Sequence, residues 1–288
     1  MILTYFSFDA EGRAYYVVAG DDGETERREV EFGKGLTMEF DLSRRYCIGW
    51  HEIGTKEDHV CPDGAEVEKK YEQCKKCMQR TGFNPAFYHS DNVSEKQVEY
   101  NRQPHGVYLA YFDEKNVKVG IFHERRERQR LLEQGARAAM ILDKFGSANV
   151  ARQYEAKISD MEGFIESLQI AKKLEILNEG GYDFARAEAR LLSEKARIER
   201  ELGVEFSGSE VVSLDEFYGD VGGLRDVVDM GARGVISGKV VACVGSILVV
   251  ENEGELLGLS IKKVLGYKAR ISDEIEAVEL PERQASLF

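Results

Sequence analysis

No apolar stretch in this sequence of 288 residues is long enough to cross a membrane; the longest, such as residues 235–250, are broken by Ser, Lys and Gly. The residues after Met1 show no basic-then-apolar leader, so the sequence predicts a protein of the cytoplasm with no membrane partner. Positive charge is in deficit: 39 Lys and Arg against 52 Asp and Glu leave a net charge of −13. That balance argues against a general polyanion binder, whose affinity for phosphates rests on clustered cations. Cysteine is scarce at five residues, and no internal repeat is visible. A reducing compartment disfavours disulfides, and a chain of this length buries a core without them, dividing most naturally into two or three domains.

The cysteines that are present crowd together. Cys47, Cys61, Cys74 and Cys77 fall in one short segment, and Cys74-Lys-Lys-Cys77 is the tight turn that delivers two ligands to a tetrahedral zinc ion. Gly49, Gly54 and Gly64 surround the other two, giving that half of the site a looser pair of loops. A structural zinc is therefore predicted, with His59 or His51 in place of Cys61 as an alternative ligand. Redox chemistry at Cys74 and Cys77 is the rival reading, but no strand-then-helix pattern of a thioredoxin surrounds them. Cys243 sits in an apolar strand and reads as a core residue.

Local periodicity predicts an α+β protein. Residues 2–40 alternate apolar and polar between glycine clusters, as in an antiparallel meander. A polar connector runs from about 90 to 104. Strands follow at 106–112 and 117–121, joined by a hairpin at 113–116. A basic helix spans about 124–134, a third strand 138–145, and Asn149 caps a further helix. A charged helical hairpin breaks at Asn178-Glu-Gly-Gly181, and residues 235–280 return to strand pattern. The predicted division is a β meander with its zinc knuckle at 1–90, a β-β-α-β-α core with the helical hairpin at 91–206, a small C-terminal β domain at 207–280, and a tail at 281–288. Lys118, Arg125, Arg126, Arg128, Arg130, Arg137, Lys144 and Arg152 concentrate charge in the core, with acids interleaved, as a phosphate-facing surface or a solvated helix face would.

The strand, strand, helix, strand, helix order over 105–160 resembles the GIY-YIG nuclease superfamily. Gly106-Val107-Tyr108 stands at the first tripeptide, Lys118-Val119-Gly120 at the second, and Arg128 eight residues later at the helix arginine. Residues 145–151, followed by Glu155 and Ile158, look like the entry to the helix that bears the metal-binding glutamate. The resemblance implies phosphodiester cleavage, with Tyr108 as base or water positioner, Arg128 bracing the phosphate and Glu155 holding one Mg²⁺ or Mn²⁺. Lys118 stands where the superfamily has tyrosine, a departure that bears on the proton-transfer step and for which electrostatic substitution is the expected role. His123, in the loop after the second strand, is a candidate acid or base as well as an ordinary surface histidine. Arg125, Arg126 and Arg130 are the candidate phosphate contacts, on DNA more readily than RNA. The alternative is a degenerate core that binds nucleic acid without cutting it.

Over most of its length the chain is also similar to a prokaryotic family of unknown function grouped with this superfamily. Cys47-Ile-Gly49, the later cysteines, residues 105–110 with Gln134-Gly-Ala136, residues 238–241 and Gly266-Tyr267 carry that likeness. The end, Gln284-Ala-Ser-Leu-Phe288, resembles peptides that dock on sliding clamps, with Gln284 at the pocket edge and Leu287 and Phe288 inside it. Together these imply a repair or replication endonuclease recruited by a clamp.

Overall fold

The computed structural model of the protein describes residues 1–54, 58–84, 93–165 and 167–281. The chain opens with β1 (Ile2–Phe8), β2 (Ala14–Ala19) and β3 (Thr25–Glu29), which pair in order as the antiparallel meander that their alternation predicts. β4 (Gly35–Tyr46) leads into the cysteine segment, made of β5 (Trp50–His51), β6 (Asp58–His59), β7 (Glu66–Val67) and α1 (Lys75–Thr81).

The polar connector contains one short helix, α2 (Glu95–Asn101), capped by the Ser94 hydroxyl. Then come β8 (His105–Asp113) and β9 (Asn116–His123), whose turn is closed by the Asp113 carboxylate accepting from the N–H of Lys115 and of Asn116, both at 2.8 Å. A 3-10 turn, Glu124–Arg126, precedes α3 (Glu127–Gln134), and β10 (Ala138–Phe145) and α4 (Ala148–Ser159) complete the predicted order. The cap of α4 is Ser147, not Asn149: its hydroxyl accepts from the Val150 N–H at 3.4 Å. Next are β11 (Phe164–Ile165), the helical pair α5 (Ile170–Glu179) and α6 (Phe184–Leu202), and β12 (Val211–Ser213). The sheet of this core runs β11-β9-β8-β10-β12. Its central strand, β8, is buried along nearly all its length, which is why residues 106–112 read as a continuous apolar run.

The C-terminal strands are β13 (Val228–Asp229), β14 (Val235–Val244), β15 (Ile247–Asn252), β16 (Glu255–Ser260) and β17 (Tyr267–Ser272). Their sequence reads as a small domain of its own, yet they complete the N-terminal sheet, in the order β13-β16-β15-β14-β4-β17-β1-β2-β3 with β7 also on β4. β4 pairs with β14 along residues 35–39 and with β17 along its other edge. A meander that ends in a long strand leaves unpaired backbone groups at that edge, and strands from the far end of the chain satisfy them.

Strand alternation splits the core in two. Tyr108, Ala110 and Phe112 of β8 face a cluster with Phe8, Met38, Leu132 and Val249, between the large sheet and the small one. Val107, Leu109 and Tyr111 face the opposite cluster, with Ala151 and Ile158 of α4 and Leu191 and Ile198 of α6. At the C-cap of α3, Gly135 (φ 72) meets Gly245 (φ 59) backbone to backbone: a Cβ on Gly135 would lie 3.2 Å from the Gly245 Cα. Among the described residues no helix is long and apolar enough to cross a membrane.

Candidate functional site

Cys47 leaves the end of β4, and Cys61 opens a turn closed by the Gly64 N–H on its carbonyl at 3.1 Å. Cys74 is the N-cap of α1 and Cys77 lies within that helix. The four sulfurs all lie within 4.8 Å of one another, with Cys61 Sγ and Cys74 Sγ 4.0 Å apart. A tetrahedral ion with metal–sulfur bonds of ~2.3 Å spaces its sulfurs ~3.8 Å apart, so this set fits one. Cys47, Cys61 and Cys77 are buried and Cys74 is half-buried. Burial pushes the Cys47 and Cys77 thiols up, while at Cys74 the Cys77 N–H and the neighbouring thiols outweigh burial and pull it down. A divalent cation supplies the charge that brings such thiols to thiolate. Neither His51 nor His59 belongs to the cluster: His59 instead stacks on Trp50 with ring centroids 4.0 Å apart. The left-handed Gly49 (φ 87) permits that packing, since a Cβ there would fall 1.9 Å from the His59 carbonyl oxygen. These four cysteines can hold a structural metal such as zinc.

A second constellation lies on the face of β8 and β9 that looks toward the large sheet. The register pairs Tyr108 with Gly120 and Ala110 with Lys118. The Tyr108 ring crosses the neighbouring strand at Gly120, where a Cβ would fall 2.5 Å from the hydroxyl. Gly106 does the same for Phe122, whose ring a Cβ would meet at 2.1 Å. Both glycines of the two tripeptides are thus places where the opposite strand's ring lies over the backbone.

Tyr108 is completely buried, and among the described residues its hydroxyl is the buried side-chain polar atom without a hydrogen-bond partner. Burial pushes the phenol up to about 12, opposed by the Arg130 guanidinium beside it. Glu155 of α4 is half-buried and ion-paired with Arg152. Burial raises its carboxyl against the pull of Arg152, Lys118 and Arg130. Lys118 is lowered by burial and by Arg130, and supported by Glu155. Tyr108 and Lys118 share the large-sheet face with α3 and its Arg130, whereas Glu155 comes from α4, whose buried side packs on the opposite face, and its charge is felt by them at electrostatic range.

Arg128 does not join them. Its Nη1 donates to the Ala10 carbonyl at 3.1 Å and its guanidinium lies 5.2 Å from the Phe217 ring centroid. Two positions on a helix are ~200° apart around the axis, so Arg128 and Arg130 point to different neighbours. His123 is not in a loop: it ends β9 and is buried. Its Nδ1 accepts from the Arg125 N–H at 3.1 Å, so Nε2 carries the proton and donates to Gln103 Oε1 at 2.8 Å. Tyr100 stacks on it at 4.5 Å. Burial, with His105, Arg125 and Arg126 near, lowers it to about 4, so it caps the 3-10 turn as a neutral ring. Arg125 is exposed. Arg126 bonds Glu133 at 2.9 Å, and Glu133 also accepts from the Ser7 hydroxyl at 2.6 Å, which ties α3 to β1. Glu155 belongs to no cluster of three or more metal-ligand candidates: among the described residues the one such group is the four cysteines. Gln284, Leu287 and Phe288 lie outside the described residues.

Two cations near this site carry no signal in the sequence. Lys173 of α5 and Lys262 of the 3-10 turn Ile261–Val264 come from segments with no motif, and only the fold brings them toward Lys118 and Arg130.

Comparison with curated proteins and with solved structures gave no match. The family described as "Protein of unknown function (DUF2797)" matches residues 33–269. That span takes in the four cysteines, the residues from Tyr108 to Glu155 and most of the closing strands, and the chain belongs to this family.

Proposed function

We propose that the protein is a metal-dependent endonuclease acting on DNA, or RNA, in repair or replication. Its core would be of GIY-YIG type, its four cysteines would hold a structural zinc, and a sliding clamp would recruit it through Gln284, Leu287 and Phe288. The observation that carries the reading is that Tyr108, Lys118 and Glu155, named from the sequence, fall within electrostatic range of one another and of Arg130.

At neutral pH a phenol pushed up to about 12 stays protonated, so Tyr108 orients the attacking water or the phosphate as a donor rather than abstracting a proton. Lys118, whose ammonium is destabilised by burial and by Arg130 and supported by Glu155, would act electrostatically, adding positive charge beside the phosphoryl oxygens. Arg130 places a planar fork against the phosphoryl oxygens, where negative charge grows. Glu155, ion-paired with Arg152, would hold Mg²⁺ or Mn²⁺ only jointly with phosphate oxygens of the substrate. Such an ion, when bound, neutralises charge at the leaving oxygen.

Zinc-loaded protein incubated with branched, nicked and single-stranded DNA and RNA in Mg²⁺ or Mn²⁺ should cleave at least one of them. Glu155→Gln should lose cleavage and keep binding. An intact panel favours the second reading, a nucleic-acid-binding or clamp adaptor with a degenerate core, for which Lys118 at the superfamily's tyrosine position is the supporting observation. Clamp recruitment is tested separately, by deleting residues 284–288 and measuring binding to the clamp.

A further inference from the structure

A cleft opens between the zinc segment and the meander, far from Tyr108 in the chain. β5 and β6 form one wall, and Thr4 and Tyr5 of β1 with Thr25 of β3 form the other. In the β5–β6 hairpin Trp50 pairs with His59 and His51 with Asp58, and all four residues line the cleft. The Trp50 and His59 rings stack 4.0 Å apart, and Tyr5 brings a further ring from β1, 6.1 Å from that of Tyr15. Tyr5, Trp50 and Asp58 are half-buried and His51 and Thr25 exposed, so the cleft is in contact with solvent.

The charges of this cleft do not balance. Among the described residues the Asp58 carboxylate has neither an ion pair nor a hydrogen bond, the His51 ring has no hydrogen bond, and no lysine or arginine lines the cleft. Guanidinium groups nearby are engaged elsewhere: Arg27, 3.8 Å from the Tyr15 ring centroid, bonds Asp9 at 3.0 Å, and Arg126 bonds Glu133 at 2.9 Å. Arg80 stands 5.8 Å from the Trp50 ring centroid, outside the lining residues. Burial lowers the His51 imidazole, which is therefore uncharged at neutral pH, and raises the Asp58 carboxyl. A cation beside that carboxylate offsets the cost of its burial.

We propose that this cleft binds the head group of an organic cation, a guanidinium or an alkylammonium, with the Asp58 carboxylate as its counter-charge and the Tyr5 and Trp50 rings as its walls. A planar guanidinium meets a carboxylate through two parallel N–H groups, and aromatic rings attract cations. Asp58 repels a phosphate, so a nucleotide is a poor occupant, and the site owes nothing to the chemistry proposed at Tyr108. An open cleft of this kind takes a head group rather than a whole molecule. Its cation is carried by a free amine or by a basic side chain of another protein, and the chemistry of recognition is the same for both.

Trp50 is the sole tryptophan of the chain, so its fluorescence reports on the cleft directly. Full-length, zinc-loaded protein is titrated at constant ionic strength with agmatine and, separately, with arginine blocked at both ends. At least one of them should give a saturable change in Trp50 emission at low-millimolar concentration or below. Tighter binding of agmatine assigns a free amine, and tighter binding of blocked arginine assigns a protein side chain. Asp58→Asn should weaken binding about ten-fold or more, Asp58→Glu should restore much of it, and Tyr5→Leu should weaken it several-fold. Glu66→Gln, an exposed acid of the same segment outside the cleft, should change nothing. Zinc content and circular dichroism check the fold of each variant, and the charge-preserving Asp58→Glu serves where Asp58→Asn fails to fold. Unchanged Trp50 emission with both ligands, or equal affinity in wild type and Asp58→Asn, overturns the cation site. Saturable binding of guanosine monophosphate in place of the two cations overturns it as well.

Discussion

The hydroxyl of Tyr108 reaches across to Gly120 on the adjacent strand, where even a methyl group would collide with it. Glycine at 120 is therefore a matter of room for one ring, and the ring ends in a hydroxyl that the fold leaves without a partner.

Tyr108→Phe keeps that ring and removes only the oxygen. Folding stability in urea should be unchanged or higher by about 1 kcal/mol, because an unsatisfied buried group is lost. Cleavage should fall by about 10²-fold or more. A variant that loses stability and keeps its cleavage rate would give the hydroxyl a structural task instead. Gly120→Ala should cost about 1–3 kcal/mol through overpacking against the same ring.

Arg130 and Arg128 give a paired test of the site. Arg130→Ala should lower the cleavage rate about 10²–10³-fold, as removal of one donor to developing charge does. Arg128→Ala, which removes a bond to the Ala10 carbonyl at the rim, should stay within a few-fold of wild type. Equal losses in the two variants would return the helix arginine to position 128.

The unit from β8 to α4 was legible because its signals are local. Alternation, the Asp113 turn and the left-handed Gly135 each act within a few residues. The choice between Arg128 and Arg130 depends on helical phase, and the 3-10 turn at Glu124–Arg126 delays α3 to residue 127, which spacing from Gly120 cannot register. Ser147 and Asn149 are both good caps, and only the path of the chain selects one. The cysteine group was readable from residue type and the two-residue spacing of Cys74 and Cys77. The union of β4 with β14 and β17 was not, because pairing across some two hundred residues leaves no pattern in either segment. Lys173 and Lys262 were hidden for the same reason.

Zinc content can be checked directly. Elemental analysis of untagged protein should give one zinc per chain, and Cys77→Ser should strip it, since Cys77 is fully buried among the other three sulfurs. Metal binding and folding are coupled in such segments, so the variant should become protease-sensitive around α1 while the β8 to α4 unit stays protected. Folded wild-type protein that contains no metal would remove the zinc assignment and leave a cluster of buried thiols.

His123 predicts how stability responds to acid. The neutral ring is held by the Arg125 N–H on one nitrogen and Gln103 on the other, and burial lowers the group to about 4 against ~6.5 unfolded. A base with a depressed folded pKa binds fewer protons in the native state than in the unfolded one. Its contribution is therefore complete above pH ~6.5, declines as the pH falls toward about 4, and is constant below that. At ~1.4 kcal/mol per pH unit the whole decline is about 3 kcal/mol. His123→Asn keeps an acceptor for the Arg125 N–H and cannot titrate. Urea midpoints from pH 7 to pH 4 should therefore fall less steeply in the variant than in wild type. Acid release of zinc acts in both proteins and cancels in the difference; His105, lowered by burial and with its ring 5.0 Å from that of His123, is coupled to it and is replaced by Asn in both proteins. Parallel curves would show that His123 is already free to take a proton in the native state, and that its ring is not the neutral cap of the turn.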